Sequence, residues 1–260
     1  MSQLEGGMKQ VYQQPDFCFA AGALSLALAA PQRHVKQAWL RTLYRCAALI
    51  LFGLTLSVIA APNLDKMLLL AQQRYGATGA DTVQQWRALL SQARGLPDSE
   101  KIKRVNAFFN QRIAFRDDQE IWNQADYWAT PLETMGRGAG DCEDFTIAKY
   151  ATLKLLDIPI ERMRLIYVRA QIGGPHSSIS QAHMVLGYFA NPGDEPLILD
   201  NLVTEIFPAS RRTDLYPVFS FNSAGLWVGQ SQTGNPASSA TARLSRWRGV
   251  LERMQQEGLE

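Results

Sequence analysis

Cysteine and histidine are scarce in this sequence: its 260 residues include three of each. Cys18 and Cys46 lie in an N-terminal segment for which we predict removal, so Cys142 would be the remaining cysteine. A lone cysteine cannot form an intramolecular disulfide, which excludes a disulfide-stapled fold. Because a free thiol is a hazard in an oxidising compartment unless it is used, this scarcity favours a functional role for Cys142.

The chain also has little excess charge. Its formal net charge is +2, and the excess of basic residues lies in the first 61 residues, so residues 62–260 are close to neutral. A nucleic-acid-binding surface needs a basic patch, and none is apparent. We therefore expect no nucleic-acid partner.

No apolar run reaches the roughly 20 residues of a membrane span. The longest, residues 46–61, has 16 uncharged residues, follows the basic Arg45 and ends on the small residues Ala60 and Ala61. This pattern is typical of a secretory signal peptide. We predict cleavage after Ala60 or Ala61, a periplasmic location and no membrane span in the mature protein; an uncleaved anchor is the alternative.

The predicted leader, residues 1–61, is longer than an ordinary signal peptide. Residues 17–31 form a second, weaker apolar stretch, and 45 residues precede the run at 46–61. A start site assigned too early would explain this length. Initiation at Val35 from an alternative start codon would leave a conventional basic segment before the apolar run.

The rest of the chain reads as helices followed by strands. Helical spacing of apolar residues predicts four helices, at residues 63–75, 81–94, 98–115 and 142–156. We take Asp98 as the cap of the third helix and residues 116–141 as a long ordered loop. Strand-like alternation follows at residues 163–170, 182–189 and 196–203.

A turn at residues 191–194, Asn-Pro-Gly-Asp, predicts that the last two strands form a hairpin. The order of elements predicts an α+β fold, with N-terminal helices packed on an antiparallel sheet. We expect one domain over residues 62–228. Residues 229–260 are expected to form a loose linker and an amphipathic helix with Leu244, Trp247, Leu251 and Met254 on its apolar face.

Cys142 lies in the sequence Gly-Ala-Gly-Asp-Cys-Glu-Asp, residues 138–144, at the start of a predicted helix. A helix N-terminus has unpaired N–H groups and a partial positive charge, which favour a thiolate. Cys142 is therefore a candidate nucleophile. A buried packing cysteine is the alternative.

A thiol nucleophile needs a base, and the base needs an orienting group. Beyond the leader the histidines are His176, in a glycine-rich loop, and His183, at the start of an apolar strand. We favour His183 as the base. Asp200 ends the next strand of the predicted hairpin and can reach His183 if both side chains share a face. A simple strand-end role for Asp200 is the alternative.

Five short motifs in order resemble those of the bacterial transglutaminase-like cysteine proteinases, the LapG-type periplasmic proteases. They are Val-Asn-Ala-Phe-Phe-Asn at 105–110, Asp-Tyr-Trp-Ala-Thr-Pro at 126–131, Gly-Asp-Cys-Glu-Asp at 140–144, Ala-His-Met-Val-Leu at 182–186 and Leu-Asp-Asn-Leu at 199–202. The resemblance spans roughly residues 64–228. It implies a transglutaminase-like or papain-like cysteine protease core.

The resemblance implies a catalytic set as well. Cys142 would attack the peptide carbonyl, His183 would transfer the proton and Asp200 would orient His183. The backbone N–H of Cys142 is the expected oxyanion donor. Enzymes of this family cleave a large surface adhesin near its N-terminus at a site with paired alanines, which releases the adhesin and promotes biofilm dispersal. They are inhibited by the periplasmic domain of an inner-membrane receptor for cyclic dimeric GMP.

Asp141, Glu143 and Asp144 place three carboxylates around one thiol. Complementarity to the helix dipole is one explanation. Uncompensated anions, however, raise the pKa of a neighbouring thiol, and a bound Ca²⁺ would neutralise them through oxygen ligands. The spacing is not that of an EF-hand. Since the resemblance implies calcium dependence, we predict Asp141, Glu143 and Asp144 as Ca²⁺ ligands.

Two other functions remain open at this stage. A transglutaminase-like acyltransferase would use the same three residues with an amine in place of water. A non-catalytic module would hold a peptide in the cleft without cleaving it. The intact Cys-His-Asp set argues against the second.

Overall fold

A computed structural model describes residues 61–174, 177–228 and 245–259. Its α-helices are α1 (Leu64–Ala93), α2 (Asp98–Arg112), α3 (Asp118–Trp122), α4 (Pro131–Arg137), α5 (Cys142–Leu155) and α6 (Ser245–Glu257). Short 3-10 turns lie at Ile160–Arg162 and Ala209–Arg211. Most helical residues therefore precede the sheet, as predicted.

Two sheets accompany these helices. Their strands are β1 (Ala114–Phe115), β2 (Ala139–Gly140), β3 (Met163–Gln171), β4 (Ser180–Tyr188), β5 (Leu197–Leu199), β6 (Phe207–Pro208), β7 (Leu215–Phe221) and β8 (Leu226–Val228). Strands β1 and β2 form a parallel pair, and the other six form an antiparallel sheet in the order β6-β5-β4-β3-β7-β8. The predicted α+β class with helices on an antiparallel sheet is confirmed.

The two helices predicted at 63–75 and 81–94 are present as the two segments of α1, although the second segment begins earlier than predicted. The interruption between them is a kink at Gly76, which has φ 70° and ψ −162°. Glycine adopts positive φ without the steric cost of a Cβ atom, so the direction changes here while helix continues on both sides. Trp86 then fixes α1 to α5, because its indole N–H donates to Thr152 Oγ1 at 2.9 Å.

Helix α2 differs from the predicted 98–115 helix at both ends. Asp98 is its first residue and not its cap; its carboxylate accepts from Arg162 at 2.8 Å and from the Tyr188 hydroxyl at 3.1 Å. Both distant partners bind Oδ2, and Oδ1 accepts from Lys101 Nζ at 3.4 Å, so both oxygens of Asp98 are engaged by side chains. The helix ends at Arg112, because Ile113 is extended and leads into β1.

The predicted loop at 116–141 contains two helices and the strand β2, so that prediction is wrong. Helix α4 begins with a capping box: Thr130 Oγ1 accepts from the N–H of Glu133 at 3.2 Å, and Glu133 accepts from the N–H of Thr130 at 2.8 Å. Pro131 occupies its first position. Thr-Pro-x-Glu is a recognisable helix start. The helix was not predicted because its seven residues are too few to show helical spacing of apolar residues.

Helix α5 is the central helix and confirms the prediction for 142–156. It packs on β3 and β4, with Ile147 and Leu153 fully buried. Thr146 Oγ1 donates to the carbonyl of Met184 in β4 at 3.0 Å. The first two turns of α5 are therefore fixed against the strand that carries His183.

The strands predicted at 163–170 and 182–189 are present within two residues at each end. The hairpin is also confirmed, since β4 and β5 pair antiparallel with Leu186 opposite Leu199. The third strand is shorter than predicted and ends at Leu199. Strands β7 and β8 were not predicted from the sequence, although β7 forms the other neighbour of β3.

The C-terminal helix α6 joins the main core. Trp247 is fully buried and packs edge-on against Tyr150 and Phe221, with ring centroids 5.7 and 5.6 Å away. Arg253 donates to the carbonyl of Trp128, in the segment between α3 and α4. Leu244 and the loose connection predicted at 229–241 lie outside the described residues. Helix α6, which begins at Ser245, is described over its whole length.

The predicted leader at 1–61 and its apolar run at 46–61 lie, apart from Ala61, outside the described residues. Within 61–174, 177–228 and 245–259, no helix has both the length and the apolar character needed to cross a membrane.

Candidate active site

The close approach of Gly140 to Asp144 positions the start of α5. Helix α4 ends at Gly138, which has a left-handed φ of 65°, and β2 follows immediately. A Cβ atom on Gly140 would lie 2.7 Å from the Cβ of Asp144. Any larger residue at 140 would therefore push the chain away from the first turn of α5, where Cys142 is the first residue.

The acids beside Cys142 form a capping box. Asp141 Oδ1 accepts from the N–H groups of Glu143 at 3.1 Å and Asp144 at 3.4 Å, and Asp144 Oδ2 accepts from the N–H of Asp141 at 3.4 Å. The Cys142 N–H takes no part in this box. It remains available as the oxyanion donor that the sequence predicts.

His183 and Asp200 meet on the hairpin, as the sequence predicts. His183 Nε2 and Asp200 Oδ1 are 2.8 Å apart, and the side chains are 2% and 0% exposed. Asp200 follows directly after β5, which pairs with β4, so the hairpin itself brings the carboxylate to the imidazole. His176 lies outside the described residues.

The Cys142 thiol lies beside β4 but is hydrogen-bonded elsewhere. It has a hydrogen bond with the backbone of Met184, the residue after His183. Its Sγ donates to Glu143 Oε2 at 2.7 Å. The structure thus brings the thiol to the neighbour of His183, while the proton that a base would take is directed to Glu143.

The surroundings of the thiol oppose its ionisation. Burial raises the pKa of Cys142 well above its usual value, and the charges of Glu143 and Asp141 raise it further. Burial and the neighbouring acids also raise the pKa of Asp141 to about 10. The sequence-based argument that these acids would disfavour a thiolate therefore agrees with the structure.

Four acids and the thiol form two overlapping clusters. In the first cluster, Asp118, Asp141 and Asp144 each offer an oxygen within 4.8 Å of the others. In the second cluster, an oxygen of Asp141, an oxygen of Glu143 and the Cys142 sulfur lie within 4.8 Å of one another. Asp118 Oδ1 is buried without a hydrogen-bond partner. The first cluster offers only carboxylate oxygens, the ligand type that a hard divalent cation takes.

Sequence reasoning missed Asp118. It comes from α3, 23 positions before Asp141, and the segment after α3 fixes it: Asp118 Oδ2 accepts from the N–H of Tyr127 at 2.5 Å, and Asp144 Oδ1 from the N–H of Ala129 at 2.7 Å. The available signal was the pair Asp117–Asp118 in an otherwise polar and aromatic segment.

Asp200 is surrounded by hydrogen-bond donors. Burial alone would raise its pKa, but the hydrogen bond and charge of His183, the N–H of Leu202 and the guanidinium of Arg212 lower it to about 2. Lys149, on α5, is also buried near this carboxylate, and burial lowers the pKa of Lys149 to about 7 although the charge of Asp200 opposes the shift. Arg212 and Lys149 were not predicted from the sequence.

A cysteine at the start of a helix, a histidine on the strand beside it and an aspartate just after the neighbouring strand, in a mixed helix and sheet core, are the arrangement of the papain-like and transglutaminase-like class of cysteine peptidases. The family model for bacterial transglutaminase-like cysteine proteinases matches residues 81–232. The chain belongs to this family and is a cysteine protease. No curated protein matches significantly.

Solved structures of Legionella pneumophila LapG are similar to the chain. One is 36% identical and covers 75% of this chain and 99% of its own, with a TM-score of 0.62. A calcium-bound form is 35% identical over 74% of this chain and 98% of its own, with a TM-score of 0.63. An EGTA-treated form is 35% identical over 75% and 100%, also with a TM-score of 0.63.

Proposed function

We propose that the chain is a calcium-dependent cysteine endopeptidase whose catalytic residues are Cys142, His183 and Asp200. The buried hydrogen bond of 2.8 Å between His183 and Asp200 carries this proposal. A buried histidine–aspartate pair beside a helix-start cysteine, in a member of this protease family, has the parts that nucleophilic catalysis requires.

We propose a step for each of these residues. Asp200 Oδ1 accepts from His183 Nε2, which leaves Nδ1 of the imidazole as the atom that takes the thiol proton. The Cys142 sulfur then attacks the peptide carbonyl carbon, and the N–H of Cys142 stabilises the oxyanion. His183 returns the proton to the leaving amine, and water hydrolyses the thioester to regenerate the thiol.

Three carboxylates fit a calcium ion. Asp118, Asp141 and Asp144 supply oxygens within 4.8 Å of one another, and Asp118 Oδ1 lacks a partner. We propose these as ligands, and Glu143, on the thiol side of Asp141, completes the proposed set. A bound Ca²⁺ supplies positive charge that offsets the acids beside the thiol. The similarity to a calcium-bound LapG structure supports calcium binding, and the ligand residues are proposed from the carboxylate cluster alone.

Our proposals for the substrate and the location rest on the family resemblance. We propose that the leader directs the chain to the periplasm and that the enzyme cleaves a large surface adhesin near its N-terminus, at paired alanines. The release of the adhesin would promote biofilm dispersal. The periplasmic domain of an inner-membrane receptor for cyclic dimeric GMP is the proposed inhibitor.

Cleavage of a peptide containing paired alanines, and of an adhesin N-terminal fragment, tests this proposal. We expect cleavage in Ca²⁺, no cleavage in EGTA, and no cleavage by Cys142→Ala or His183→Ala. Adding the receptor's periplasmic domain should slow the calcium-loaded enzyme. Cleavage that persists in Cys142→Ala would refute the assigned nucleophile, and products coupled to an added amine, detected by mass spectrometry, would show an acyltransferase instead.

A further inference from the structure

We propose that Arg212 is a positioning residue of the catalytic centre, which holds the Asp200 carboxylate in the orientation that accepts the His183 hydrogen bond. This inference rests on the proposed role of Asp200. Arg212 is in neither the set of residues predicted from the sequence nor any of the five family motifs. Through its contact with Asp200, Arg212 extends the series of hydrogen-bonded side chains that begins at His183.

Each oxygen of Asp200 has its own donor. Oδ1 faces His183 Nε2 at 2.8 Å and accepts from the N–H of Leu202 at 3.0 Å. Oδ2 accepts from Arg212 Nη2 at 2.8 Å. Because the two oxygens are held by different groups, the carboxylate cannot rotate without breaking a charge-assisted hydrogen bond.

The backbone of Asp200 is held separately, since its carbonyl accepts from Asn110 Nδ2 at 2.8 Å. This contact fixes the position of the residue, and it leaves rotation of the carboxylate group to the side-chain contacts. Arg212 therefore has a function that the backbone contact does not duplicate.

Arg212 is itself held from its outer side. Asp214 binds it twice, through Nε to Oδ1 at 2.9 Å and through Nη2 to Oδ2 at 2.8 Å. The Arg212 N–H donates to the carbonyl of Ala209 at 2.9 Å. Asp214 is 37% exposed, Arg212 5% and Asp200 0%, so a line of paired charges leads from solvent to His183.

The charges around Asp200 come from three elements. His183 faces it from β4, Lys149 from α5 and Arg212 from the turn before β7. Burial lowers the pKa of Lys149 to about 7, so the charge of Lys149 diminishes above neutral pH. A guanidinium keeps its charge throughout this range and forms two directed bonds at once. Arg212 is thus the cation suited to hold Asp200 ionised and oriented during catalysis.

Three variants test this role in the calcium-loaded protein. Arg212→Gln removes the charge, and Arg212→Lys keeps the charge but loses the planar guanidinium that bonds both aspartates. Asp214→Asn removes the negative charge that holds the guanidinium from its solvent side. Arg211→Gln is the matched control, because Arg211 is the exposed neighbour of Arg212 and its guanidinium lies over the Phe207 ring, 4.5 Å from the ring centroid. It makes the same charge change one residue away.

For Arg212→Gln we expect kcat on the paired-alanine peptide to fall about 10- to 100-fold with KM changed less than about twofold, since a misplaced catalytic group costs up to about 10²-fold. The pH below which activity is lost should move upward, because without the guanidinium the buried site around Asp200 takes up a proton more readily. Arg212→Lys should recover part of kcat. Asp214→Asn should show a smaller loss in the same direction.

A second readout does not depend on proteolysis. In ¹⁵N-histidine-labelled protein, the His183 Nε2–H signal should be downfield and slow to exchange, because it is buried and donates to a carboxylate. We expect this signal to shift or exchange faster in Arg212→Gln and to be unchanged in Arg211→Gln. If the wild type cleaves no peptide but the signal changes as expected, the proposed function fails and the positioning role stands.

The positioning role is overturned if folded Arg212→Gln keeps both the wild-type pH profile and the wild-type His183 signal, even if its melting temperature or kcat falls. If Arg212→Gln does not fold, Arg212→Lys and Asp214→Asn decide the question. Wild-type kcat, pH profile and His183 signal in both would refute the inference.

Discussion

The contact between Glu143 and the Cys142 thiol leads to a quantitative prediction. Glu143→Gln replaces a carboxylate acceptor, 2.7 Å from Sγ, with a neutral amide of similar shape. A hydrogen bond to a charged group contributes about 1.5–3 kcal/mol. Since one pKa unit corresponds to about 1.36 kcal/mol, the substitution should lower the pKa of the thiol by about one to two units.

The rate of alkylation changes less than the thiolate fraction. A thiolate of lower pKa is also a weaker nucleophile, with a Brønsted coefficient of about 0.4–0.5. At a pH below the pKa, each unit by which the pKa falls increases the thiolate fraction about 10-fold. The logarithm of the net alkylation rate should then rise by about 0.5 to 0.6 for each unit. For a shift of one to two units, we expect alkylation to become about 3- to 15-fold faster.

The assay is the alkylation of Cys142 by iodoacetamide at pH 7 to 9 in the presence of EGTA. Glu120→Gln, an exposed glutamate of α3 that pairs with Arg116, is the control and should match the wild type. An unchanged or slower rate in folded Glu143→Gln would refute the argument that this carboxylate holds the proton on the thiol.

Two further predictions concern the acids of the site. Asp118→Asn should weaken Ca²⁺ binding by at least about 10-fold in calorimetric titration, because it removes a charged oxygen from the cluster; Asp117→Asn, an exposed neighbour, is the control, and equal affinities would contradict the proposed ligand set. The pKa of Asp200 is lowered to about 2 in the folded protein, so its ionisation stabilises the fold above about pH 4 and this stabilisation is lost as the pH falls toward 2. Asp200→Asn lacks this titration. The difference in the free energy of unfolding between the wild type and Asp200→Asn, measured by urea titration, should therefore decrease by about 2 to 3 kcal/mol from about pH 4 to about pH 2. A constant difference would show that Asp200 does not titrate in this interval.

Local patterns in the sequence sufficed for the features that depend on neighbouring residues. The helix at Cys142 follows from a glycine-rich approach and from apolar residues at helical spacing, and the structure starts this helix at Cys142. The hairpin that joins His183 and Asp200 follows from alternating strands and a turn of Asn, Pro, Gly and Asp. These signals lie within a few residues of the elements they specify.

Other features depend on contacts between distant residues. The Asp98 carboxylate is used by Arg162 and Tyr188 and does not cap α2. Asp118 joins Asp141 because β1 pairs with β2 and the segment after α3 folds over α5. No local period or turn signal reports such contacts.

The sequence by itself determined the fold class, the helix-start cysteine and the histidine and aspartate of the hairpin, because each is specified by short-range patterns and by family motifs. Only the tertiary structure decided that Asp118 completes the acidic cluster and that Arg212 supports Asp200. It also directed the thiol proton to Glu143. These relations arise from burial and from the pairing of charges across the chain, which become defined when the core closes.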